Sequence, residues 1–272
     1  MKKNKQLKSS SSLHDIKAGL GQYKVALLLS KLTMKAGFIN TRIGPLWITL
    51  NALTYVLFFA LVRNLFFGTQ SILTDVTQIY IAFTLFTMST AGIREGASTL
   101  IRHRVYLDSS AIPLTTLYLK VYFDIVRSSC YAIFVIPIVL LWSGLSPNWA
   151  QLAWIFVWFF IWSFMVIGMS IWLSVISLQL PDITPLLQSL LTGLMFMTPR
   201  WWKSSDIKTD FGITLVQINP FAWCIESISG VFYGSGIDSI SMTKMLGFAV
   251  LNLLLGWIAL SVTGRKIIYS FK

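Results

Sequence analysis

Arg42 stands two residues ahead of the pair Gly44–Pro45, and Pro45 opens an apolar run that lasts to Phe67. A guanidinium at that junction sits at the depth of lipid headgroups, where its planar fork pairs phosphate oxygens two at a time. An arginine there also serves simply to anchor a span's cytoplasmic end. Inside the apolar runs ionisable groups are few. Asp124 and Arg127 stand three apart, a spacing suited to an i, i+3 ion pair. His14 and His103 are isolated and offer no metal site. Cys130 and Cys224 lie alone in apolar surroundings and read as small buried hydrophobes. The sequence contains no G-x-x-x-x-G-K-[ST], H-E-x-x-H or G-x-S-x-G, so P-loop ATP binding and the common hydrolytic constellations are excluded. Ion-driven carriers keep acidic or basic groups inside their spans, and their scarcity here points to energy supplied from outside the chain.

Aromatic side chains are the second chemical resource. Tyr55, Phe58 and Phe59 lie on one apolar run, Tyr80 on the next, and Phe156 and Trp162 on a later one. Aromatic faces stack on the apolar faces of sugar rings, so a smooth aromatic lining lets a sugar chain slide. Aromatic residues in membrane helices also face lipid or pack against neighbours.

The elements that must position these residues follow from composition. The chain of 272 residues is 55% hydrophobic and only 12% charged, and its mean hydropathy is +0.70. A soluble domain needs far more charge to cover its surface. The net charge of +12 with this hydropathy excludes a nucleic-acid binder and suits lysine and arginine gathered in cytoplasmic loops. Six apolar runs are long enough to cross a bilayer, at about 45–67, 76–93, 117–142, 150–178, 183–197 and 245–262. Pro137 is expected to kink the third. Seventeen of the 22 basic residues fall on the side that carries both termini, which places both in the cytoplasm.

Three further segments are not spans. Residues 13–38 carry Lys17, Lys24, Lys31 and Lys35 on one side of an apolar helical pattern, the signature of an amphipathic helix lying in the interface. Residues 95–104 predict a short cytoplasmic helix, a handle for another protein. Residues 198–236 are too polar to span and too apolar for a plain loop, and "INPFAW" offers Asn219 as a cap with Pro220 in the first turn. Two short re-entrant helices fit that stretch, with Trp201 and Trp202 at its mouth. The expected fold is thus all-α and integral to the membrane. Residues 1–42 form a cytoplasmic segment with the interface helix, and residues 43–272 a six-span permease domain with short re-entrant helices between spans five and six.

Three stretches carry a family resemblance: "TRIGPLWITL" at the start of the first span, "IPLTTLYLKVYFDIVR" before and into the third, and "INPFAW" between the fifth and sixth. In this order the chain resembles the membrane subunit of ABC transporters that export polysaccharide, among them O-antigen, capsule and teichoic-acid exporters. It departs from that pattern at Ile43, where leucine is more usual, and at the basic Arg200 and Lys203. The resemblance implies a homodimer in the bacterial inner membrane, bound to a separate nucleotide-binding ATPase that carries the ATP and Mg; this chain itself holds no cofactor. It implies an undecaprenyl-diphosphate-linked glycan as cargo, with Arg42 at the diphosphate. Tyr55, Phe58, Phe59, Tyr80, Phe156 and Trp162 would line the channel. Glu95, Arg102 and Arg104 would couple to the ATPase, and Trp201, Trp202, Asn219 and Pro220 would gate the exit. A related permease exporting drugs or lipids, or an integral membrane glycosyl- or acyltransferase, remains the alternative.

Overall fold

Each apolar run becomes a helix because in lipid only a helix, or a closed barrel, satisfies its own backbone. The computed structural model describes residues 12–68, 72–103, 112–199, 202 and 207–263, and among these the regular structure is helix, with no strand. The helices are α1 (Ser12–Gly21), α2 (Tyr23–Gly37), α3 (Leu46–Phe67), α4 (Ile72–Arg94), α5 (Thr99–Arg102), α6 (Leu114–Ile133), α7 (Ile136–Ser143), α8 (Trp154–Gln179), α9 (Ile183–Met197), α10 (Asp210–Ile218), α11 (Pro220–Phe232) and α12 (Ser239–Thr263). Five stretches are long and apolar enough to cross a membrane: α3, α4, α6 with α7, α8 and α12. The fifth expected span appears as α9 with the expected bounds, but it has 15 residues. At 1.5 Å per residue that is roughly 22 Å, short of a hydrocarbon core of about 30 Å.

α4 is the central helix and is buried along nearly its whole length. It packs on α3, α6, α7, α8, α9 and α11. The core around it holds Ile79, Tyr80, Ile81, Met165 and Trp162, all essentially inaccessible. Close approach rests on glycine. A Cβ on Gly168 of α8 would come within 2.5 Å of the Asn252 backbone of α12, and one on Gly96 within 2.4 Å of the Ser170 backbone. Membrane helices gain contact mainly through such small-residue crossings, because lipid competes with apolar side chains.

The third span breaks where the sequence predicts. Pro137 has no N–H to give the Ile133 carbonyl, and the helix is interrupted at Phe134–Val135 before α7 restarts. Neighbouring helices donate to carbonyls around the break: the hydroxyl of Thr49 to Tyr131 at 2.9 Å, Tyr80 to Ala132 at 2.8 Å and Thr77 to Val139 at 3.1 Å. The single interface helix expected over 13–38 is instead two helices that meet at Gln22. The handle expected over 95–104 narrows to the single turn of α5.

Candidate functional site

Two ends of the bundle and one lateral face bear on function. At one end, α1 and α2 lie against the start of α6. Asp15 of α1 accepts from the backbone N–H of Leu114 at 3.2 Å and of Thr115 at 3.0 Å, and from the Thr115 hydroxyl at 2.9 Å. α6 begins after Pro113 with no cap of its own, so Asp15 supplies a cap from another helix and places a negative charge at the helix's positive end. Gly19 permits the contact, since a Cβ there would strike Thr115 at 2.4 Å. Ala26 and Ser30 of α2 are then completely buried. Lys17, Lys24, Lys31 and Lys35 remain exposed, as do Val25, Leu28 and Leu32. The small residues of the leader, Gly19, Ala26 and Ser30, dock it on the third span.

The α4–α5 turn lies at the same end. Glu95 and Arg102 form an exposed ion pair at 2.9 Å. Arg104 lies outside the described residues. His103 Nδ1 contacts the Thr99 carbonyl at 2.8 Å, and burial lowers the imidazole pKa below its usual value. Asp124 does not pair with Arg127 as the spacing suggests. It pairs with the buried Lys120, one turn earlier, at 2.7 Å, while Arg127 Nε is buried with no hydrogen-bond partner. Both i, i+3 and i, i+4 neighbours sit on one helix face, and sequence spacing alone does not choose between them. Arg42 is exposed beside Gly44, whose φ of +62° turns the chain from α2 into α3.

The six aromatics do not form one surface. Tyr55 and Phe58 are more than half exposed on α3, and Phe156 is 79% exposed on α8. Phe59 is half-buried, edge-on to Phe58 at 6.0 Å, and Tyr55 stacks on Phe83 of α4 at 6.1 Å. Tyr80 and Trp162 lie inside the protomer. Tyr80 is held by its bond to Ala132, and Trp162 sits against Trp158, Phe159 and Tyr122. Their bulk fills the core between α4, α6 and α8, which takes them off any lining.

Midway along α4, Asn219 caps α11 as expected, and α11 runs from there toward the opposite end. Its Oδ1 accepts from the Phe221 N–H at 3.0 Å, its Nδ2 donates to Thr198 Oγ1 at 2.9 Å, and Pro220 takes the first turn. The Phe221 ring meets Phe86 at 6.1 Å and Phe248 at 6.5 Å, while at the other end of α11 the Tyr233 hydroxyl donates to the Gln78 carbonyl at 3.2 Å. Trp202 Nε1 donates to the Phe196 carbonyl, and Trp201 lies outside the described residues. One feature escaped the sequence reading: Arg63 of α3 and Asp75 of α4 form a buried ion pair at 3.5 Å. Two opposite charges ending one apolar run and opening the next, across a short Gly68 turn, were the available signal.

Among the described residues no cluster of histidine, cysteine or carboxylate is placed to hold a metal ion. No curated protein matches the chain. The ABC-2 type transporter family matches residues 29–233, a stretch from within α2 to the end of α11. The chain thus belongs to the ABC-2 type transporter family: it is a multi-pass membrane permease of an ABC transporter, and it works with an ATPase subunit.

Proposed function

We propose that this permease exports a lipid-linked polysaccharide from the cytoplasmic to the outer face of the bacterial inner membrane. Two copies form the conduit, with both termini and the α1–α2 leader in the cytoplasm. The observation that carries the reading is the bare aromatic face of α3, where Tyr55 and Phe58 stand exposed while Tyr55 lies flat on Phe83. A second copy meeting that face would enclose an aromatic wall without deep pockets, which suits a repeating sugar chain. Six crossings are completed by α9, whose short length is compatible with a position against protein rather than against lipid.

The ATPase engages the leader end. Arg102 is exposed and Glu95 half-buried there, and with Arg104 they form the contact. Because Asp15 fastens α1 to α6, a push on the leader is passed to the third span. Arg42 meets the undecaprenyl diphosphate at the headgroup level. At the far end α10 and α11 re-enter the outer leaflet. The supporting contacts run from Gln78 to Phe86 along α4, eight residues or roughly 12 Å of depth at 1.5 Å per residue. Trp201, Trp202, Asn219 and Pro220 shape that exit.

The test is export by the permease–ATPase complex reconstituted in vesicles, read as accessibility of a lipid-linked glycan to an external lectin. The Tyr55→Ala, Phe58→Ala double variant is expected to slow glycan export while ATP hydrolysis continues. Export of the glycan at the unaltered rate would remove the aromatic wall from the account. Export of lipids or drugs but never of glycan would favour the related drug or lipid permease.

A further inference from the structure

Arg63 is the one charged residue of α3, and Asp75 and Arg94 are the only two of α4. Arg63 and Asp75 meet near the end of the bundle remote from the leader, and both are more than nine-tenths buried. An ionisable group inside a span is costly, and it is kept where it serves a pathway or a switch. We propose that this pair is a latch: it holds the far end of the first span closed on α4 and releases it during the ATP cycle.

The pair is only half made. Its N–O separation is 3.5 Å, whereas a charge-assisted hydrogen bond measures about 2.7–2.9 Å. The second carboxylate oxygen of Asp75, Oδ2, is buried with no hydrogen-bond partner. A buried orphan of this kind costs free energy, so the pair stabilises the closed fold no better than apolar residues of similar bulk. Close by, the Tyr233 hydroxyl donates to the Gln78 carbonyl at 3.2 Å and feels the Arg63 charge. The first span, the central helix and the end of α11 thus meet at one polar point. The turn between the two spans, Gly68–Ser71, brings no third charge.

The rest of the seam parts easily. Below Arg63, α3 meets the core through Ala52, Val56 and Ala60, spaced by four. Small residues bring backbones close, but lipid competes for the same apolar contacts. Beyond Arg63 the helix is bare, with Leu65 80% and Phe66 78% exposed. The pair is therefore the one ionic attachment of α3 to α4. Arg63 stands four residues before the last of α3 and Asp75 three after the first of α4, or roughly 6 Å and 5 Å from the helix ends at about 1.5 Å per residue. Once parted, charges at that depth turn to headgroups and water. Parting trades an orphaned oxygen for hydration, which keeps the closed and open states close in free energy. The latch needs an ATP-driven cycle and no particular cargo, so it stands apart from the glycan reading above.

The test is hydrogen exchange at residues 61–66 of the full-length permease with its ATPase in lipid nanodiscs, at rest and trapped with ATP and vanadate, with no cargo added. In the wild type these amides should exchange at least roughly tenfold faster when trapped, the factor for giving up a contact to a charged group. Asp75→Asn should exchange that fast already at rest. The charge-swapped double variant Arg63→Asp, Asp75→Arg should restore the slow resting rate. The apolar double variant Arg63→Met, Asp75→Leu should stay slow in both states, because nothing in it gains hydration on opening. Equal wild-type rates in the two states overturn the proposal, with no variant needed. So does a charge-swapped protein as fast at rest as Asp75→Asn, or an apolar double variant that still opens when trapped. A rise shared equally by α8 and α12 is loosening of the whole bundle and overturns it as well.

Discussion

Replacing Asp15 by alanine should loosen the leader from the third span without unfolding the bundle. The carboxylate accepts three hydrogen bonds, at 3.2, 3.0 and 2.9 Å, and two come from backbone N–H groups in the first turn of α6. Loss of a helix cap costs about 0.5–2 kcal/mol, and the charge at the positive helix end adds about 0.3–1 kcal/mol. Asp15 is half-buried, so the lower parts of both ranges apply, and a total of about 1–2 kcal/mol is reasonable. That corresponds to a roughly 5–30-fold rise in the undocked population of α1. Hydrogen exchange on the purified protein reads this directly. Amides of α1 and of the first turn of α6 should exchange faster by about that factor, while those of α8 and α12 stay as they were. Asp15→Asn, which keeps acceptors but loses the charge, should fall between. Unchanged protection in Asp15→Ala would refute the cap, and an equal loss across α8 and α12 would show that α1 is not a separable unit.

Other perturbations follow the same logic. Asp75→Ala leaves Arg63 buried without its partner and should cost about 3–5 kcal/mol, whereas the double change Arg63→Met, Asp75→Leu should recover most of it, as thermal unfolding in detergent would report. Gly168→Leu forces side-chain atoms into the Asn252 backbone and should lower the melting temperature by the equivalent of at least about 1–3 kcal/mol. Burial lowers the pKa of His103, so the unfolded chain binds more protons there as pH drops. Its contribution to stability is then complete above the ordinary imidazole value of 6.5 and is lost as pH falls below it. Melting curves at neutral and mildly acid pH should show His103→Gln losing less stability on acidification than the wild type.

The sequence made some features legible because they rest on local chemistry. Pro137 lacks a donor, and the helix breaks beside it. Asn219 before Pro220 is a cap followed by a first-turn proline, and α11 starts there. The limits of α9 follow from Asp182 and Thr198 flanking an apolar run. What escaped depends on which face of a helix meets protein. Lipid and protein interior both accept apolar side chains, so nothing in the sequence separates the buried Tyr80 and Trp162 from the exposed Tyr55 and Phe156. Asp124 had two candidate partners within one turn of each other, and only packing selects Lys120. The division of the leader at Gln22 is equally tertiary, for it lets Asp15 reach α6 while Ala26 and Ser30 pack alongside it.

The central claim is that this permease takes its driving force from an ATPase docked at the leader end. Flux of lipid-linked glycan across vesicles holding the permease with either an active or a hydrolysis-deficient ATPase tests it most directly. The account predicts flux only with the active ATPase and ATP, indifferent to a proton or sodium gradient. Flux through the permease alone, or flux that follows an ion gradient without ATP, would contradict it.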